Sequence, residues 1–245
     1  MYSTSALGRR LATVAAGLAG LTLGTAAVAQ TVVVSSSGPS ARSYPAGRSL
    51  AAGSRITLVA GDSLTVLDSR GTRTLRGPGS FGAEASSATA NRSFSALVDT
   101  QNRRRARTGA VRRPGEKAAP PSLWFVNIAA SGPFCIANPE TVQLWRPDMQ
   151  QAATLTVSDS AGRSASISYA VGQNTVAWPA AVPIAEGRTY TLKGAALPMQ
   201  TQLRFALIGA DAAATPATAF AALNEKGCTD QKQLLVAALK PTDAS

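Results

Sequence analysis

From residue 31 onward the chain alternates apolar and polar positions over short runs, each closed by Gly, Asp or Pro. Thr31 to Ser35 opens with a β-branched run. Arg55-Ile56-Thr57-Leu58-Val59 puts Ile56 and Leu58 on one face, and Leu64-Thr65-Val66-Leu67-Asp68 follows after Gly61-Asp62. Ser69-Arg70-Gly71 turns into Thr72-Arg73-Thr74-Leu75, and Gly77-Pro78-Gly79 ends that run. Short period-two runs with turn residues every eight to twelve positions predict a small β-barrel or sheet roll. The Ala/Ser-rich stretch from Gly82 to Asn91 reads as a loop.

A second block of runs predicts strands at 123–128, 133–137, 141–145, 153–158, 164–170, 174–178, 188–193 and 201–208. Leu155/Val157 and Ile167/Tyr169 alternate across a hairpin turn at Asp159-Ser160-Ala161-Gly162. Eight such strands argue a β-sandwich. The period then changes. Thr215 caps a helix with Pro216 in its first position and Gly227 at its close. Thr229 caps a second helix, with Leu234, Leu235, Ala238 and Leu239 on one face and Pro241 beyond its end. The predicted fold class is therefore all-β with two domains: a small β module over 30–100, and a β-sandwich with a C-terminal helix pair over 122–245.

The segment before residue 30 has a different character. Arg9 and Arg10 precede an uncharged run from Leu11 to Ala29 that ends in Ala27-Val28-Ala29. That order is a secretory signal peptide over 1–29, cleaved between Ala29 and Gln30. The mature chain is expected in the periplasm, or secreted, with no transmembrane segment. Arginine outnumbers lysine 19 to 5, as in proteins of GC-rich bacteria.

Charge divides the mature chain unevenly. Residues 122–245 balance eight bases with eight acids, whereas residues 101–121 carry six arginines and one lysine against a single glutamate. Repulsion together with Pro114, Gly115, Pro120 and Pro121 opposes packing there, so 101–121 reads as a solvated basic linker. Arg103, Arg104, Arg105, Arg107, Arg112 and Arg113 are candidates for an anionic envelope component, such as lipid headgroups, lipopolysaccharide phosphates or an acidic protein. The other reading is a spacer. Nucleic acid is not expected, because the arginines are not interleaved with aromatic residues.

The 245 residues include no histidine, which removes Ser-His-Asp and Cys-His chemistry and His-ligated metal sites. Two cysteines cannot build a four-thiolate zinc site, and no glycine loop leads into a helix to cradle a nucleotide. No cofactor, metal or enzymatic activity is expected. Ile56 to Leu64 includes Gly61-Asp62-Ser63-Leu64, which resembles the first block of GDSL hydrolases with Ser63 in the nucleophile's place. A serine needs a base to take its proton. That family's late Asp-x-x-His is missing, so Gly61-Asp62 is read as a turn between two strands.

The same stretch carries another resemblance. Gly47-Arg48-Ser49-Leu50, Ala52-Gly53-Ser54-Arg55-Ile56, Gly61-Asp62-Ser63-Leu64, Val66-Leu67-Asp68, Gly71 and Leu75-Arg76-Gly77-Pro78-Gly79-Ser80-Phe81 follow the rhythm of the FecR-type domain. That domain is a small periplasmic β module of ferric-citrate-type regulators. The resemblance spans about residues 38–81 and implies a β fold and an envelope location. It transfers no functional residue.

Trp124, Trp145, Trp178, Tyr169 and Tyr190 are candidates either for a sugar-stacking platform or for the sandwich core. Parity with Val176 and Leu192 points Trp178 and Tyr190 inward. Trp145 has opposite parity to Val142 and Leu144, so Trp145-Arg146 is the expected exposed, ligand-facing pair. Cys135 and Cys228 lie in one domain of an exported chain and are expected to pair, against the alternatives of free thiols or an intermolecular bond. The resulting functional expectation is a non-enzymatic adaptor or sensor of the bacterial envelope that binds another envelope protein or anionic component. A carbohydrate- or glycan-binding sandwich is the alternative.

Overall fold

The computed structural model describes residues 31–68, 71–83, 91–98, 118–195, 197 and 199–239. The expected cleavage site at Ala29 and Gln30 and the six arginines of 103–113 lie outside these residues.

The N-terminal unit holds β1 (Thr31–Ser37), β2 (Ser49–Leu50), β3 (Arg55–Leu58), β4 (Ser63–Asp68), β5 (Gly71–Arg76) and β6 (Gly79–Gly82). Four of them form an antiparallel sheet in the order β2-β1-β4-β5, and β3 pairs with β6. Alternation sends Val33, Leu64, Val66 and Leu75 to the side of Ile56 and Leu58, making one small core. The turn before β4 is held by Asp62, whose carboxylate accepts the backbone N–H groups of Val59 at 2.7 Å and Ser40 at 2.9 Å. Hydrogen bonds from Ser40 and Val59 keep this carboxyl below the usual carboxylate range against the opposing effect of burial. Gly38, at φ 100°, passes so close that a Cβ there would lie 2.6 Å from Asp62 Oδ1.

The C-terminal strands are β7 (Phe125–Asn127), β8 (Gly132–Ile136), β9 (Gln143–Trp145), β10 (Ala153–Asp159), β11 (Ser164–Tyr169), β12 (Thr175–Ala177), β13 (Thr189–Gly194) and β14 (Thr201–Leu207). They make a five-stranded sheet, β11-β10-β13-β14-β8, and a three-stranded sheet, β12-β9-β7. Two pairs, β14 with β8 and β7 with β9, are parallel. The predicted hairpin is present as β10 and β11, with Leu155 opposite Ile167. Inward residues of both sheets share one core, in which Trp178, Tyr190 and Phe205 meet edge-to-face at 5.1–5.4 Å between centroids.

Among the described residues three α-helices accompany the strands: α1 (Asn91–Val98), α2 (Pro216–Glu225) and α3 (Thr229–Ala238). The sequence pattern misses α1, along with the short strands β2 and β6. Thr215 caps α2 as predicted, in a reciprocal box with Thr218. Gly227, at φ 72°, donates to Asn224 O and Cys228 to Leu223 O, the paired bonds of a helix closed by a left-handed residue. The cap of α3 is Cys228 rather than Thr229, which is already helical.

The sequence assigns the helix pair to the C-terminal unit, and in the structure the helices also pack on the N-terminal sheet. One core cluster joins Val32 and Leu67 of the N-terminal sheet to Phe220, Leu223 and Leu235 of the helices and to Trp124, Cys135 and Ile208 beside the sandwich. Thr72 donates both its N–H and its hydroxyl to Leu239 O, at 3.3 and 3.1 Å. Gly47 leaves no room for a Cβ against Asn224. Alternation explains the contact: Val33 and Val66 face the small N-terminal core, so Val32 and Leu67 point the other way and need cover. The helices supply it. Among the described residues no helix is long and apolar enough to cross a membrane.

Candidate functional site

The sandwich is open along the side where β7 and β8 are edge strands, and α3 lies across that opening. Its closure depends on one side chain. Gln231, 4% exposed, accepts the Cys135 N–H at 2.7 Å and donates to Cys135 O at 2.8 Å and to Leu123 O at 2.9 Å. The carboxamide thus answers β8 as a neighbouring strand would, and it ties that strand to the start of β7. Three residues away, Cys228 is bonded to Cys135, with the two Cα atoms 5.9 Å apart. The expected intramolecular pairing is therefore present.

Outside this seal runs a groove of about 800 Å³. Its accessible apolar walls are Phe134 from the sandwich side and Leu234 and Ala237 from α3, the buried Leu123, Phe125 and Leu203 lie behind them, and Ala118 to Pro120 lie along it. Among the described residues Asp230 is the only charged one on its lining. Largely apolar concavities with a few polar groups are the usual form of binding sites. The edge of β8 cannot extend the sheet here. Pro133 has no N–H, and both backbone groups of Cys135 are taken by Gln231. Along β8 a ligand in this groove therefore finds no strand to pair with.

The other sequence candidates fall elsewhere. Trp145 and Arg146, expected to be exposed, are 3% and 4% exposed, so neither presents a binding surface. All three residues of β9 are buried, because this central strand is covered on both faces. Arg146 donates from Nε to Gln173 O at 3.0 Å and from Nη2 to Ala170 O at 2.9 Å, and it lies 4.8 Å over the Tyr169 ring. It fixes the segment between β11 and β12. Burial drives the Tyr169 hydroxyl far above its ordinary pKa, outweighing the opposing charge of Arg146. Trp124, Tyr169 and Tyr190 are buried as well, and Trp178 is half-buried, with its indole N–H donated to Val182 O at 2.6 Å. Four of the five aromatics are therefore buried, and the half-buried Trp178 packs edge-to-face against Tyr190 and Phe205. Ser63 sits in β4 with Ser37 and Arg76 as its register partners, and neither is a base for a serine nucleophile.

Asp159 organises the far end of the sandwich. Its carboxylate accepts the N–H groups of Ala161 and Arg163 at 2.9 and 3.0 Å, and it pairs with the guanidinium groups of Arg163 at 2.7 Å and Arg188 at 3.2 Å. Burial alone would raise this carboxyl, but the hydrogen bonds from Arg163 and Ala161 and the Arg163 charge outweigh it and hold the group below its usual range. A carboxyl lowered in the folded state stabilises above its unfolded pKa of about 4 and loses that contribution as pH falls through its folded value. Asp159→Asn is accordingly expected to lower the urea midpoint at pH 7, with the difference from wild type narrower at pH 3. An equal difference at both pH values would show that the ionised carboxylate is not the source.

Compared with known proteins, the chain has no significant match among family models, curated proteins or solved structures.

Proposed function

We propose that this protein is an exported, non-catalytic adaptor or sensor of the bacterial envelope. In this reading the groove between β7, β8 and α3 docks an apolar segment of a partner protein. The observation that carries the reading is the groove itself: about 800 Å³, with Phe134 and Leu234 as accessible apolar walls over the buried Phe125 and Leu203, and closed to strand addition along β8 by Pro133 and Gln231. A partner that finds no strand to pair with along β8 buries side chains instead, as an amphipathic helix does in an apolar groove. The intramolecular disulfide supports an oxidising compartment, in keeping with the signal-like residues 1–29 and the FecR-like rhythm of 38–81. Burial of four of the five sandwich aromatics favours partner docking over a glycan-binding sandwich.

A photo-crosslinking residue at Leu234, on the groove, and at Ser166, on the open face of β11, tests this in the exporting cell. The expected result is one envelope protein captured from position 234 and not from 166, with capture lost in a second variant carrying Ala237→Arg. Equal capture from both positions, or none from 234, would remove the groove as the docking site.

A further inference from the structure

Every sheet here ends in two edge strands, and an edge offers a row of backbone N–H and C=O groups to any strand that meets it. Among the described residues most of these edges are closed by side chains. On β3 the Tyr44 hydroxyl accepts the Thr57 N–H at 3.1 Å and donates to Thr57 O at 3.4 Å. On β6 Arg73 donates from Nη2 to Gly82 O at 2.6 Å. On β8 Gln231 holds both backbone groups of Cys135, and Pro133 has no N–H. On β5 Thr72 donates to Leu239 O, and the strand carries Arg73 and Arg76. The edge strands β2, β7 and β12 run for two or three residues only. Strand β11 is the exception. It pairs with β10 over six positions without a bulge, and it carries neither proline nor charge.

Register decides which of its groups are free. The Asp159 N–H donates to Arg163 O at 3.0 Å, so Arg163 and then every second residue, Ala165, Ile167 and Tyr169, turn their backbone groups toward β10. Ser164, Ser166 and Ser168 turn theirs outward, and all three residues are exposed. The open strip has definite ends. The next outward residue, Ala170, donates its N–H to Gln173 Oε1 at 3.0 Å, and its C=O accepts from Arg146 Nη2 at 2.9 Å. At the other end the Arg163 guanidinium is paired with Asp159 at 2.7 Å.

We propose that a second copy of this chain adds along β11, antiparallel and centred on Ser166, so that two five-stranded sheets become one across a two-fold axis. The strip is complementary to itself. Ser166 meets its own equivalent and Ser164 meets the equivalent of Ser168, each pair exchanging both backbone hydrogen bonds. On the inner face Ala165 comes opposite the equivalent of Ile167, which joins the apolar margins of the two sandwich cores. Charge favours this occupant. The whole chain has a net charge of +11, yet the strip is uncharged and residues 122–245 balance eight bases with eight acids, so two copies meet here without strong repulsion. Strands β11 and β8 are opposite edges of one sheet, so the contact leaves the groove free and does not depend on what docks there.

The test is sedimentation velocity of the oxidised mature protein over about a hundredfold range of concentration. The expected result is a monomer that converts to a dimer, with hydrogen exchange at 164–168 slowing as the dimer forms and exchange at 201–207 unchanged. Ser166→Pro removes an N–H that β10 does not use and is expected to abolish the dimer. Ser166→Lys and Ser166→Glu alter an exposed side chain. Each is expected to weaken the dimer by about fivefold or more through like charges on the axis, and an equimolar mixture of the two is expected to restore it. That restoration requires position 166 to face itself and does not follow from misfolding. A monomer at every concentration, a dimer indifferent to all three changes, or a mixture no tighter than the single variants would overturn the proposal. So would a photo-crosslinker at 166 that joins a different protein instead of a second copy.

Discussion

Gln231→Ala is expected to lower the free energy of unfolding by about 2–4 kcal/mol, a large effect for a polar residue on a short helix. The reason is the number of groups the carboxamide serves. Its removal leaves the N–H and C=O of Cys135 and the C=O of Leu123 without partners in a site where Gln231 is only 4% exposed. A buried backbone group left unpaired costs about 1–3 kcal/mol, and water entering from the groove recovers part of the total. Gln231→Glu should be no better, since it removes both donations and turns a carboxylate toward two carbonyl oxygens. Gln233→Ala, an exposed change two residues away, should stay within about 0.5 kcal/mol of wild type. Urea titration of the oxidised proteins checks the series, and equal midpoints for the 231 and 233 variants would refute the sealing role.

Phe220→Ala is expected to cost about 3–5 kcal/mol, the usual range for a fully buried aromatic truncated to alanine. Phe220 is 1% exposed and belongs to the cluster that includes Val32 and Leu67 on one side and Trp124 and Ile208 on the other. Its loss opens a void in the layer between the two β units. The shape of the transition is as informative as its midpoint. If the helices bind the two units into one cooperative structure, the variant unfolds in a single transition shifted to lower denaturant. If the units are independent, one half keeps its wild-type midpoint and the curve splits in two.

Much of the fold was legible in local pattern. The β10–β11 hairpin, the inward faces of Leu155, Val157, Ile167 and Tyr169, the Thr215-Pro216 start of α2 and its Gly227 close all follow from period, turn chemistry and capping. The disulfide followed from the location of two cysteines in one domain. Layering was not legible. Parity says that Trp145 and Leu144 point in opposite directions, but it cannot say that a second layer covers the outer face of β9. The same limit hid the double role of the helices. Val32 and Leu67 point away from the core that Val33 and Val66 build, and only the packed structure shows what meets them. The strands β2 and β6 span two and four residues, too few for a period to register.

The candidate site was the least legible part, because the groove is made by elements distant in sequence. One signal was present. Gln231 falls four residues before Leu235 and eight before Leu239, in line with the apolar stripe of α3. A polar residue on a buried stripe must find partners there, and these turned out to be backbone groups near positions 123 and 135.

The account depends most on the groove as the place where a partner docks. The direct measurement is the hydrogen-exchange footprint of the protein bound to the envelope protein captured from position 234. The account predicts protection at 125–134 and 230–237, with the outer strand residues 154–168 unchanged. Protection confined to 154–168, with 230–237 exchanging as in the free protein, would contradict it.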